Sequence, residues 1–116
     1  MYVYDKANEL ADALKNAPEY KKYSELKEKI YSNDSDKALV KKYKKMQFEA
    51  QAEYMAGKTP SEEALDEIRK LGEVLQFNKD ISEFLSAEYM LNRIIGDVYR
   101  IIGQAVELDV SFMEQE

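Results

Sequence analysis

The sequence predicts an all-α fold, a bundle of about five helices with a long C-terminal helix, and a dimer-forming one. Three observations carry the fold class. Apolar residues recur at steps of three and four along nearly the whole chain. No run alternates with period two for long enough to make a strand, and β-branched residues are scattered. Two prolines and four glycines leave few breaks, each of them readable.

The first helix is expected over about residues 3–16, with Ala7, Leu10, Ala11 and Leu14 on one face. Asn16-Ala17-Pro18 ends it, because Pro18 disfavours helical geometry at Ala17 while fitting the first turn of the next helix. The second helix then runs to about Tyr31, turning Tyr20, Tyr23, Leu26, Ile30 and Tyr31 inward. Ser32-Asn33-Asp34-Ser35-Asp36 is a polar break rich in side chains that can cap a new helix. A third helix reaches about Met55-Ala56, where Gly57 supplies a left-handed terminator. Thr59-Pro60-Ser61-Glu62 reads as a helix start, with Thr59 as N-cap, Pro60 in the first turn and Glu62 closing a capping box. Glu62, Glu63, Asp66 and Glu67 then lie near the positive end of the helix dipole, which explains the acidic cluster without a metal. The fourth helix is expected over 60–76 with Ala64, Leu65, Ile68, Leu71 and Leu75 buried. Phe77-Asn78-Lys79-Asp80 makes a short turn or kink, and a fifth helix of nearly 30 residues runs from Asp80 to about Leu108. The whole chain, 1–116, reads as one domain, with about 109–116 as a disordered tail.

That last helix bears on assembly. About 29 residues at ~1.5 Å each span roughly 43 Å, whereas a compact domain of this length has a diameter of roughly 35 Å. Its apolar positions follow alternating steps of four and three: Phe77, Ile81, Phe84, Leu91, Ile95, Val98, Ile102 and Ala105, with Glu88 the exception. A second row of Ala87, Met90, Ile94, Ile101 and Leu108 widens the face. Arg93-Ile94-Ile95-Gly96 returns seven residues later as Arg100-Ile101-Ile102-Gly103, a repeat that keeps one seam toward a neighbouring helix. Gly96 and Gly103 lie on one side, where missing side chains would let another helix come close. On the third helix, Leu39, Tyr43, Met46, Ala50 and Tyr54 share a side opposite Lys37, Lys41, Lys44 and Lys45. Farther along, Phe48, Ala52 and Met55 fall on the lysine side, so this half is apolar on two faces. The expected oligomer or partner interface is therefore Phe48, Ala52, Met55, Leu91, Ile95, Val98 and Ile102.

Composition excludes more chemistry than it suggests. The chain has no cysteine and no histidine, which removes disulfides, thiolate and imidazole metal sites, and Ser-His-Asp or Cys-His catalysis. Carboxylate-bound Mg²⁺ survives that cull, but Glu49, Glu53 and Glu88 read as surface charge: the carboxylate-bridged di-iron arrangement also needs histidines. No glycine-rich phosphate loop is present. No enzyme and no cofactor are expected. No stretch approaches ~18 apolar residues, and Met1-Tyr2-Val3-Tyr4-Asp5-Lys6 lacks a basic segment followed by an apolar run, so the cytoplasm is the expected compartment. The net charge of −6 divides unevenly: residues 1–58 carry 12 basic and 10 acidic side chains, residues 59–116 carry 5 and 13. The acidic half speaks against general nucleic-acid affinity. The alternative to a protein-binding role is RNA contact through Lys37, Lys41, Lys44 and Lys45, with aromatic rings stacking on bases.

Order and spacing along nearly the whole chain also carry a resemblance. It rests on Val3-Tyr4-Asp5-Lys6-Ala7 with Leu10 and Ala13-Leu14, on Pro18-Glu19-Tyr20, and on Met46-Gln47-Phe48 with Gln51. Ala56-Gly57-Lys58 and Ile81-Ser82-Glu83-Phe84-Leu85-Ser86-Ala87-Glu88 continue it. In these segments the chain resembles the YlbF/YmcA family of small helical proteins of Firmicutes, and its YheA-like branch in particular. The resemblance implies a helical, dimer-forming, non-catalytic protein. It also implies a protein-interaction or regulatory adaptor like the relatives that govern competence, sporulation, biofilm formation and mRNA decay. Its expected partners are a second copy of itself and other proteins of a regulatory complex. Some relatives hold iron–sulfur clusters through cysteines, a property that cannot extend to a chain without them.

Overall fold

A computed structural model describes residues 2–107 and shows five α-helices and no strand among them. They are α1 (Tyr2–Lys15), α2 (Pro18–Tyr31), α3 (Asp34–Met55), α4 (Glu62–Gln76) and α5 (Lys79–Val106). The expected end at Leu108 and the tail at 109–116 lie outside the described residues.

Local chemistry sets most boundaries. Ala17 is extended (φ −68°, ψ 143°), as a residue before proline should be, and Pro18 opens α2. Asn33 caps α3 by accepting from the Asp36 amide at 3.1 Å. Gly57, at φ +79°, ends α3 in the left-handed conformation. The Lys58 amide donates to the Glu53 carbonyl (2.8 Å) and the Gly57 amide to that of Tyr54 (3.1 Å), the paired bonds of a Schellman terminus. At α4 the expected start shifts by two residues. Ser61, not Thr59, is the N-cap, accepting from the Ala64 amide at 3.1 Å. Pro60 stays outside the helix and is buried beside Met46, Ala50 and Glu53 of α3, and serine is the better capping side chain of the two. The turn at 77–80 is sharper than a kink: Phe77 ends α4, and Asn78 caps α5 through the Ile81 amide at 3.1 Å. Phe77 is consequently outside α5 and 93% exposed, so the seam begins at Ile81 and not at Phe77.

The core is built where two helix pairs meet. α2 runs antiparallel to α5: the Lys29 ammonium meets the Asp80 carboxylate at 3.2 Å, the Tyr23 ring stacks on Phe84 at 5.5 Å, and Glu19 and Lys22 lie beside Ala87 and Met90. α3 and α4 form the second pair, and the first half of α3 packs on α2. Ile30, Val40, Leu75, Ile81 and Phe84 are buried at the junction, with Tyr23, Leu26, Tyr31, Leu39, Tyr43, Leu71 and Leu85 packed around them. Gly72 makes room for the Tyr43 ring; a Cβ there would lie 3.3 Å from the tyrosine oxygen.

The result is flat and open. The radius of gyration is 17.9 Å and the extents are 47 × 42 × 17 Å, against ~13 Å for a compact domain of this length. The accessible surface is 9596 Å², where a compact chain of this mass exposes about 6,500 Å².

Candidate interaction surface

The open shape has a simple origin in helix lengths. α5 has 28 residues and α2 has 14, or ~42 Å against ~21 Å. The Lys29–Asp80 contact fixes the end of α2 at the start of α5. α2 therefore covers only the first half of α5, and the turn at Ala17-Pro18 directs α1 elsewhere. Burial along the seam follows this geometry. Leu91 is buried, Ile95 and Val98 are half-buried, and Ile102 is 49% exposed. Met90, Tyr99, Ile101 and Val106 are exposed beside it. Ile94 is half-buried. Gly96 and Gly103 each follow a seam isoleucine, so they sit about 100° round the helix from it. A Cβ at either would meet nothing within 4 Å.

The far half of α3 repeats the pattern. Met46 and Ala50 face Pro60, Ala64 and Ile68 of the α4 side across a small cleft. The opposite face carries Phe48, 72% exposed, exposed Ala52, and Met55, 83% exposed. α1 is a third uncovered element: every residue from Tyr2 to Ala13 is exposed, and only Leu14 is half-buried. The single chain thus brings six of the seven expected interface residues to two separate places, the far half of α3 and the free half of α5, while Leu91 is buried within the chain itself.

The lysine stripe is less uniform than its helical wheel suggests. Lys41 and Lys45 are exposed as expected, but Lys37 and Lys44 are half-buried. The Lys37 ammonium lies 5.5 Å from the Tyr31 ring centre, and that of Lys44 5.3 Å from Phe84. Lys44 also pairs with Glu88. This pairing gives the one charged interruption of the α5 seam a structural role: Glu88 faces α3, where the lysine crosses it. The wheel placed these lysines opposite the buried side because it allowed α3 one neighbour. α2 and α5 approach from a second direction.

Electrostatics elsewhere belong to single helices. The Asp66 carboxyl is held below the usual carboxylate range, first by the Arg69 guanidinium donating to it at 2.5 Å and then by the Lys70 ammonium at 3.0 Å. Arg69 is raised in return, chiefly by Asp66. Among the described residues no group of three or more acidic side chains is placed to hold a metal ion, and no buried side-chain nitrogen or oxygen lacks a partner. An open cleft of about 390 Å³ lies between Tyr43, Gly72, Leu75 and Leu85. No described helix is long and apolar enough to cross a membrane.

Known proteins agree with this geometry at two levels. A solved structure titled protein of unknown function (DUF964), from Bacillus stearothermophilus, superposes with a TM-score of 0.78. It covers 92% of this chain and 94% of its own at 14% identity, and so shows the fold. In sequence, a UPF0342 protein of Halothermothrix orenii is 33% identical over 99% of this chain and 98% of its own length. One from Symbiobacterium thermophilum is 38% identical over 95% and 98%, and one from Caldicellulosiruptor bescii 38% identical over 90% and 88%. A family model described as control of competence regulator ComK, YlbF/YmcA, matches residues 3–107. The helices, their order and nearly the full length of the chain are shared, and this protein belongs to the YlbF/YmcA family.

Proposed function

We propose that this chain is a non-catalytic regulatory adaptor that works as a homodimer and presents helical surfaces to other proteins of a regulatory complex. One observation carries the reading: a single copy leaves apolar helix faces exposed at Phe48, Ala52 and Met55 and at Ile101 and Ile102, and only half-covered at Ile95 and Val98. The surface in excess of a compact chain is larger than the ~800 Å² per partner that a standard protein–protein interface removes from water. Contiguous apolar patches of this kind mark protein contacts more than catalysis. The family's link to control of a competence regulator supports a regulatory role.

Ile102→Glu tests it. In a lone chain this half-exposed side chain contributes little, so thermal stability should change by no more than about 1 kcal/mol. In a dimer the charge meets the second copy, and light scattering should show the mass falling from two chains to one. An unchanged dimer would take Ile102 out of the interface. RNA contact through the lysine stripe has narrower support, because Lys37 and Lys44 are engaged with Tyr31, Phe84 and Glu88.

A further inference from the structure

α1 and the middle and free end of α5 carry matching stripes, the latter running from buried Leu91 to exposed Ile102. On α1 the apolar positions are exposed Val3, Ala7 and Leu10 and half-buried Leu14, separated by steps of four, three and four. On α5 the seam residues Leu91, Ile95, Val98 and Ile102 are separated by the same steps. Each stripe runs over 12 residues, or ~17 Å from first to last. Neither stripe contains a charged residue, so facing them together would bury no ion. Steps of four and three on both helices are the condition for side chains of one to seat between those of the other.

In the single chain neither stripe is covered along its whole length: Val3, Ala7 and Leu10 are exposed on one and Ile102 on the other. Ala17 is extended, α1 leaves the line of α2, and residues 2–13 remain exposed. Packing α5 on α5 of a second copy would shelter one stripe and leave the other in water. Packing α1 of each copy on α5 of the other shelters both, and it closes a two-fold dimer in which the same contact is made twice.

We propose that the occupant of the α5 face at Leu91, Ile95, Val98 and Ile102 is helix α1 of a second copy, exchanged reciprocally. This rests on the homodimer reading and specifies its contact. α1 then acts as an arm whose docking sets the oligomeric state, and the Phe48–Met55 face of α3 stays available to another protein.

The chain has no native cysteine, so introduced thiols report contacts cleanly. Ala7→Cys protein is mixed under mild oxidation with Ile95→Cys protein and, separately, with Val98→Cys protein. If the helices run parallel Ala7 opposes Ile95; if antiparallel it opposes Val98. The expected result is a disulfide-linked species of two chains in one of the two mixtures, formed at least tenfold faster than in the presence of denaturant. A double variant that closes its disulfide within one chain, with no linked pair, would place α1 on its own α5 and overturn the exchange. A two-chain mass by light scattering with only Val98–Val98 linkage, or with none, would also overturn it while leaving the homodimer intact. A one-chain mass throughout would remove both.

Discussion

Phe84 is the residue on which the fold converges. It is fully buried, stacks on Tyr23, meets Tyr31 at 6.5 Å and lies beneath the Lys44 ammonium. Truncating a ring in such a place removes both its transfer from water and the packing around it, so Phe84→Ala should cost about 3–5 kcal/mol in chemical denaturation. A loss under about 1 kcal/mol would contradict its place at the junction. Asp66 offers a test of a different kind. Arg69 and Lys70 favour its charged form, so an NMR titration should place its midpoint below about 3.9, the ordinary aspartate value. Because the native value is depressed, its support for α4 is present above about pH 3.9 and is lost as pH falls through that lower native midpoint. A midpoint at or above the ordinary value would refute the pairing. Most inward residues were legible at this scale, Ile30, Leu75 and Ile81 among them, because each lies in an apolar stripe, whereas Leu91, expected at an interface, is buried within the single chain. Val40 was not legible. It stands amid Lys37, Lys41, Lys42 and Lys44, about 100° round the helix from Leu39, and is buried because α2 and α5 approach α3 from a side the stripe does not mark.

At the scale of elements, the left-handed end of α3 was legible because one glycine stood alone there. Gly57 ends α3 because only it tolerates the left-handed turn there. Between Thr59 and Ser61 the sequence offered two caps, and serine, the better capping side chain of the two, starts the helix with Pro60 buried outside it. Asn78, an N-cap within four residues that read as a turn, shows how a short polar break can hide a helix start. α5 itself was predicted to be long, and its 28 residues outrun α2 by half. Gly103 probes the free half. Its Cβ position is open in the single chain and lies off the seam, so Gly103→Ala should stabilise the helix by up to about 1 kcal/mol and leave the mass in solution unchanged. Loss of association in that variant would put the glycine edge, not the isoleucine seam, against the second copy.

At the scale of the whole molecule, the family and the class of fold followed from order and spacing, while the arrangement of helices did not. Helical periodicity states which side of a helix is apolar, but not whether its own chain or another covers it. That distinction appears only in three dimensions, where Ile30, Val40, Leu75, Ile81 and Phe84 form a small core with half-buried side chains around it, and part of the apolar pattern faces outward. Exposed Tyr2, Val3, Tyr4 and Leu10 on α1 and Ile101 and Ile102 on α5 belong to one physical account, the proposed homodimer, in which a second copy shelters what the first leaves bare. Sedimentation equilibrium on the unmodified protein, from sub-micromolar to tens of micromolar, tests that account most directly. It should return twice the 13.5 kDa chain mass through the micromolar range. A mass of one chain at every concentration would contradict it.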